Sequence, residues 1–153
     1  MTTKTILPSD IQFKVTARDW RDALRVAAEP LLAAGHITPD YVAGMIASVE
    51  QLGPYIVIAP GLALGHARPS ATVKDTSFAI ASLATPVKFG NAANDPVDLV
   101  IILASISADD HLCLMRKMVG FLNQAANLDR LRQGTSRADA IAIATAINGE
   151  GAL

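Results

Sequence analysis

Two short apolar runs, residues 55–59 and residues 62–64, flank the Pro60-Gly61 dipeptide near the middle of the chain. Strands commonly end where apolar residues give way to Gly and Pro, so this pattern predicts two strands joined by a turn. The second run ends at His66, which has glycine before it and alanine after it. We therefore expect this imidazole at a strand end, with little side-chain bulk beside it.

The remaining apolar periodicity predicts three more strands, at residues 11–15, 77–83 and 98–106. Helical spacing and capping signals predict four helices: Trp20 to Gly35, Thr38 to Gly53, Ser107 to Leu122 and Ser136 to Asn148. Residues 127–133 are expected to form only one short helical turn. This order of elements predicts an α/β fold, with a mixed β-sheet of about five strands flanked by helices on both faces.

Two helices carry more specific expectations. Pro30 lacks an amide donor and clashes one turn back, so we expect a kink there or two shorter helices. The helix after Ser107 has apolar residues at helical spacing, which predict a buried stripe of Leu112, Met115, Val119 and Leu122.

The chain length of 153 residues fits a single domain spanning residues 1–153. Its hydrophobic fraction is 51%, but aromatic residues make up only 5%, which suits parallel strands covered by helices. A formal net charge of −1 gives no long-range attraction to nucleic acid or anionic lipid.

Localisation is indicated by cysteine content and hydropathy. The single cysteine, Cys113, excludes an internal disulfide and fits a reducing compartment. The strongest apolar run, Leu99 to Ile106, is far shorter than the ~18 residues of a membrane span, and no signal-peptide core follows the N-terminus. We expect a soluble cytoplasmic protein without direct membrane insertion.

Histidine is the first candidate for chemistry, because its neutral form is nucleophilic near neutral pH. His36 lies between two helices, where a solvated loop role is favoured. His66 alone fits a functional and an ordinary role equally, and His111 alone, beside Asp109 and Asp110, fits a surface role slightly better. Together, His66 at a strand end and His111 at the start of the next helix could converge at one sheet edge, where open α/β sheets bind ligands.

Other chemistries have weaker support in the sequence. One cysteine and three scattered histidines do not supply the closely spaced ligands of a structural zinc site, and Cys113 is expected to pack in the core. Neither a nucleophile elbow nor a phosphate-binding glycine motif is present. Arg130, Arg132 and Arg137 are interpreted as a solvated face.

Three segments carry a resemblance to a known family: GPYIVIAPGLALGHARP, PVKFGNAANDPVDLVIILA and HLCLMRKMVGFL. The chain resembles the IIA component (EIIA) of the bacterial phosphoenolpyruvate-dependent sugar phosphotransferase system (PTS). The similarity is to the mannitol/fructose class (type 2) and, within it, to the ascorbate-type branch. It extends from Trp20 to about Ile141, with the motifs in the family's order and at similar separations.

The resemblance implies a mixed sheet flanked by helices and a reaction without metal or organic cofactor. It implies that His66 accepts a phosphoryl group from the carrier protein HPr and passes it to a cysteine of the cognate EIIB, which works with the membrane permease EIIC. The family's second histidine falls on His111, which could donate to the phosphoryl oxygens, and Arg68 could add a charge-assisted contact. The transported solute is then a sugar or sugar acid such as ascorbate, and the oligomeric state stays open.

Two other functions stay open at this point. The chain could be a regulatory module whose histidine phosphorylation controls a protein partner, as some relatives of this fold do. A hydrolase with His66 as general base is a weaker alternative, because no nucleophile or metal partner is visible.

The sequence departs from the family pattern at two places. Gly65 stands where the family usually has proline before the active histidine, which leaves that backbone freer. The mannitol branch has an arginine in the preceding helix, where this chain reads Ser48-Val49-Glu50-Gln51, so Arg68 would have to act in its place.

A docking surface for two successive partners should be mostly flat and apolar. The candidates in the sequence are Ala59, Leu62, Ala67 and Pro69.

Overall fold

The computed structural model describes residues 6–68 and 70–148. After a 3-10 turn at Pro8–Asp10, the elements are β1 (Ile11–Val15), α1 (Trp20–Ala33), α2 (Pro39–Leu52), β2 (Val57–Ala59), β3 (Leu62–Gly65), β4 (Ser77–Val87), β5 (Val97–Ala104), α3 (Ala108–Leu122), α4 (Ala125–Gln133) and α5 (Arg137–Asn148). None of the helices in the described ranges combines the length and the apolar character that a membrane crossing requires.

The five strands form one mixed sheet in the order β1-β4-β5-β3-β2. The β1–β4 and β3–β5 pairs are parallel, whereas the β4–β5 and β2–β3 pairs are antiparallel. Helices α1 and α2 pack on one face of this sheet, and α3, α4 and α5 pack on the other. The predicted fold class, a mixed sheet with helices on both faces, is therefore confirmed.

Strand β5 separates two hydrophobic cores and is buried on both faces. The core beneath α1 and α2 contains Val97, Val100, Ile102 and Ala104. The other core takes Leu99, Ile101 and Leu103. This double burial explains why β5 is the most continuously apolar strand of the sequence, since neither face meets water.

Helix α1 continues through Pro30, so the alternative of two shorter helices is wrong. Proline has no amide hydrogen to donate to the carbonyl of Val26, four residues earlier. The side chain of Gln12, on β1, supplies that bond instead, with Nε2 donating to the Val26 oxygen at 2.8 Å. A polar residue from the neighbouring strand thus satisfies the carbonyl that the proline leaves open.

Several element boundaries also differ from the predictions, and β2 begins at Val57 rather than at residue 55. Strand β4 continues four residues beyond 83, because Val87 still pairs with Val97 of β5. Strand β5 ends at Ala104 rather than at residue 106. Helix α4 has nine residues rather than one turn, and its Leu131 is fully buried against the sheet. For β4 and α4, strand pairing and burial, rather than local propensity, account for the longer element.

The predicted buried stripe of α3 is only partly right, because Met115 and Leu122 are partly buried and pack against the core. Leu112 and Val119 are 50% and 48% exposed, respectively. The buried positions are Leu114, Met118 and Phe121, which are also spaced at helical intervals. Apolar residues occur on both stripes, and packing against α5 and the sheet decides which of them is covered.

Candidate functional site

His66 and His111 meet at one edge of the sheet, as the sequence predicted. Strands β3 and β5 are parallel neighbours, so their carboxyl ends lie side by side. His66 directly follows β3, and His111 lies in the first turn of α3, whose N-cap Ser107 comes soon after β5. The two ring centroids are 5.5 Å apart, with an angle of 43° between the ring planes.

The ring of His66 is held in one orientation by a backbone contact. Its Nδ1 lies 2.9 Å from the carbonyl oxygen of Leu64. A carbonyl can only accept a hydrogen bond, so Nδ1 carries the proton in the neutral ring and Nε2 carries the lone pair. The ring of Tyr55 meets the imidazole edge-on at a centroid distance of 5.9 Å. Within the described part of the chain, Nε2 has no hydrogen-bond partner and is available to a reactant.

An open cavity of about 340 Å³ surrounds the two histidines. It is lined by Ser48, Leu52, Tyr55, His66, Ala67, Arg68 and His111. All three site residues named from the sequence therefore face the same space. Arg68 is exposed, and no described acidic side chain forms an ion pair with it, so its charge can meet an incoming anion.

The surroundings of His111 favour its neutral form. Burial lowers its pKa from the ordinary value of 6.5, and the nearby His66 lowers it further.

Asp110, the residue before His111, is hydrogen-bonded to another element, because the hydroxyl of the buried Thr76 donates to its carboxylate at 2.5 Å. Ser107 caps the Asp110 amide at 3.1 Å. The same Thr76 hydroxyl accepts from the Ile106 amide at 3.1 Å, so Thr76 fixes the start of α3 beneath His111.

The lowered pKa of His111 predicts a pH-dependent stability. Between its folded pKa and the unfolded value near 6.5, the unfolded chain binds more protons at this site, so stability is lost as the pH falls through that window. His111→Gln should therefore flatten the loss of stability on acidification. Urea unfolding of both proteins from about pH 8 to pH 5 measures this, and identical slopes would contradict it.

Gly65, the residue before His66, lies where three elements pack closely together. A Cβ at this position would lie 2.9 Å from Cδ1 of Ile102, 3.0 Å from Cδ2 of Leu24 and 3.4 Å from Sδ of Met45. Gly65 also pairs with Ile102 in the β3–β5 ladder. The freer backbone expected of a glycine is thus restrained by strand pairing and by the side chains that occupy its missing Cβ space.

This packing predicts that Gly65→Ala destabilises the fold. The added methyl group must displace Ile102 and Leu24, at a cost of about 1–3 kcal/mol. Gly44→Ala is the matched control, because Gly44 lies within α2 with no neighbour within 4 Å of its Cβ position, and the change should stabilise by about 0.5–1 kcal/mol. Chemical denaturation measures both, and equal stabilisation by the two alanines would contradict this packing argument.

The predicted docking residues are partly wrong. Leu62 is only 3% exposed, because it packs in the core below the sheet and cannot contact a partner. Ala59 and Ala67 are half-buried against the two cores, and Pro69 lies outside the described residues. Ala67 lines the cavity, and the large apolar side chains exposed there are Leu52 and Tyr55.

The arginine prediction also needs one correction. Arg132 is not part of a solvated face: its Nε lies 3.0 Å from Asp98, and its guanidinium donates to the Pro60 carbonyl at 3.1 Å. Arg132 therefore links α4 to the β2–β3 turn.

In the segment that lacks the mannitol-type arginine, Ser48 lines the cavity and Glu50 pairs with Arg21 at 2.8 Å.

The remaining chemistry candidates lie apart from the cavity. His36 bonds through Nδ1 to Asp75 at 3.1 Å. Cys113 is half-buried rather than a core residue. In residues 6–68 and 70–148, no three His, Cys, Asp or Glu side chains come together as a metal site.

Comparison with known proteins decides the family. Residues 5–146 match the profile of the phosphoenolpyruvate-dependent sugar phosphotransferase system, EIIA 2. The chain belongs to this family. The ascorbate-specific PTS EIIA component of Salmonella choleraesuis is 38% identical over 125 residues, which cover 81% of each chain. The resemblance to the type-2 EIIA proteins and to their ascorbate branch is confirmed.

Solved structures of EIIA proteins share this fold. The mannitol-specific cryptic enzyme IIA CmtB of Escherichia coli superposes with a TM-score of 0.83 at 28% identity, covering 93% of this chain and 96% of its own. The Escherichia coli mannitol enzyme IIA, solved in complex with phosphorylated mannitol enzyme IIB, gives a TM-score of 0.76 at 23% identity, with coverage of 90% and 95%. Membership of the type-2 EIIA family supports a role in sugar phosphotransfer.

Proposed function

We propose that this protein is the cytoplasmic phosphotransfer component of a sugar PTS and that residues 1–153 form a single EIIA domain. His66 accepts a phosphoryl group on Nε2 from phosphorylated HPr and passes it to a cysteine of the cognate EIIB. The observation that carries the proposal is the 2.9 Å contact between Nδ1 of His66 and the Leu64 carbonyl, beside an open cavity. That contact leaves Nε2 as the nucleophile in the neutral ring.

The first step exchanges one phosphorus–nitrogen bond for another. The Nε2 lone pair of His66 attacks phosphorus, the bond to the HPr imidazole breaks, and the leaving imidazole takes the electron pair. The proton on Nδ1 stays in its hydrogen bond to Leu64, whose carbonyl dipole stabilises the positive charge that develops on the ring. No proton has to leave His66 during transfer.

The groups around the cavity fit the needs of the transferring phosphoryl group. Its transition state is loose, so catalysis depends on positioning and on donors for the equatorial oxygens. His111, whose ring lies 5.5 Å from that of His66, has an N–H to donate, and Arg68 adds a charged donor. In the second step an EIIB thiolate attacks phosphorus, the bond to Nε2 breaks, and the phosphoryl group leaves as a thiophosphate.

The relatives support the choice of partners and solute. The ascorbate-specific EIIA relatives support uptake of a sugar acid such as ascorbate, through an EIIB and a membrane EIIC of the same system. The exposed Leu52 and Tyr55 beside the cavity offer an apolar contact that HPr and EIIB can use in turn.

Reconstitution tests the proposal. The protein is incubated with enzyme I, HPr and radiolabelled phosphoenolpyruvate, and a parallel reaction omits HPr. We expect an acid-labile, base-stable phosphate that requires HPr and that is lost when an ascorbate-type EIIB is added. Absence of labelling while HPr itself is labelled would contradict the proposal, and a stable label that EIIB cannot remove would favour the regulatory module instead.

A further inference from the structure

Tyr41 brings one hydroxyl group to the backbone at two places that define the site. It lies in the first turn of α2, and its hydroxyl donates to the carbonyl of Leu103, near the end of β5, at 2.6 Å. The same oxygen accepts from the amide of Ala67 at 3.0 Å. Ala67 directly follows His66, so one side chain joins α2, the His66 segment and the strand that leads to His111.

A tyrosine hydroxyl suits this junction because it donates one hydrogen bond and accepts others. The side chain is only 2% exposed, so water does not compete for these contacts. Burial raises the pKa of Tyr41 to about 12, and the hydroxyl therefore keeps its proton at physiological pH. Without the hydroxyl, the Ala67 amide and the Leu103 carbonyl would lose a partner in a poorly hydrated place.

We propose that Tyr41 is a positioning residue for phosphoryl transfer at His66, an inference that rests on the proposed function. The Ala67 amide belongs to the peptide plane that joins His66 to Ala67. Holding this plane fixes the direction in which the His66 side chain leaves the backbone. The contact from Nδ1 to Leu64 then fixes the rotation of the ring, so the two anchors together define the position of Nε2.

The same turn of α2 holds the far part of the loop that follows His66. Both the amide and the hydroxyl of Thr38 donate to the carbonyl of Thr72, at 3.0 Å and 3.2 Å. The loop between β3 and β4 is thus attached to α2 near its beginning, through Tyr41, and further along, through Thr38. Tyr41 supplies the attachment beside the reactive ring.

Tyr41→Phe tests the inference, because it removes only the hydroxyl. We expect the maximal rate of transfer from phosphorylated HPr to fall roughly 10- to 100-fold, with little change in the apparent KM, because a small displacement of a reacting atom is costly. Nitrogen NMR of the unphosphorylated protein should show His66 as the single Nδ1–H tautomer in the wild type and as a mixture in the variant.

Ile143→Val is the control for a loss of stability alone. Ile143 is buried in α5 on the opposite face of the sheet, and the change removes one methylene group there. It should lower the denaturation midpoint without changing the transfer rate or the tautomer. The inference is overturned if Tyr41→Phe transfers at the wild-type rate with one tautomer, or if both variants lose rate in proportion to their stability.

Two further readouts cover the other outcomes. If wild-type protein accepts no phosphate, the proposed function fails, whereas the tautomer measurement still tests whether Tyr41 positions His66. If Tyr41→Phe does not fold, hydrogen exchange of the Ala67 amide in the wild-type protein tests the inference. The Ala67 amide should then exchange as slowly as the amides of β5, and exchange at the rate of an open loop would overturn the inference.

Discussion

His66→Gln is expected to abolish phosphorylation, lowering the rate of transfer from phosphorylated HPr by at least about 1,000-fold. The physical reason is that His66 supplies the attacking nitrogen itself, and an amide nitrogen has no basic lone pair to replace it. The fold should persist, because the ring is only half-buried and glutamine can still donate to Leu64. The measurement is single-turnover transfer of labelled phosphate.

His36→Gln is the matched control for this substitution. His36 is also partly buried and bonded, to Asp75 at 3.1 Å, but it does not line the cavity. Its loss should leave transfer within about two-fold of the wild type, as for a residue outside the reacting centre. Labelling that survives His66→Gln but disappears with His36→Gln would contradict the assignment of the acceptor.

His111→Ala is expected to slow transfer by about 100-fold without abolishing it. Removing one donor from a preorganised transition-state site costs about 10²–10³ in rate, and Arg68 remains as a charged donor at the cavity when His111 is lost. Saturation kinetics with phosphorylated HPr should show this as a lower maximal rate with little change in KM. His111→Gln keeps an N–H donor and should recover part of the loss.

The two variants of His111 also show whether the residue acts by donating a hydrogen bond or only by filling space beside His66. If the glutamine variant is as slow as the alanine variant, hydrogen bonding by residue 111 does not explain its role. If both retain the wild-type rate, His111 takes no part in the transition state. In either case the transition-state charge would be met chiefly by Arg68, the cationic side chain among the described residues that line the cavity.

The sequence predicts the sheet and the meeting of the two histidines because both follow from local rules. Apolar runs locate β3 and β5, and residues that follow the carboxyl ends of neighbouring parallel strands reach the same edge. The family resemblance, carried by the segments around His66 and His111, then agrees with this geometry. The roles of His66, His111 and Arg68 in transfer stay predictions until the variants are measured.

The features that the sequence does not reveal depend on contacts between distant residues. Tyr41 bonds to backbone atoms 26 and 62 positions away, and the hydroxyl of Thr76 meets Asp110, 34 positions away. Periodicity does not single out Tyr41, since no pattern in one sequence shows where its hydroxyl points. Gln12 likewise donates a hydrogen bond to the Val26 carbonyl, which has no amide donor because residue 30 is a proline, and no local pattern predicts this contact.

The central claim is that Nε2 of His66 becomes the phosphorylated atom. Nitrogen and phosphorus NMR of the protein phosphorylated through HPr test this most directly, because the two imidazole nitrogens give distinct signals when one of them carries phosphorus. The result predicted is a single phosphohistidine, substituted at Nε2 of His66, with the Nδ1 proton retained in its bond to Leu64. Phosphate on Nδ1, or on His36 or His111, would contradict the account.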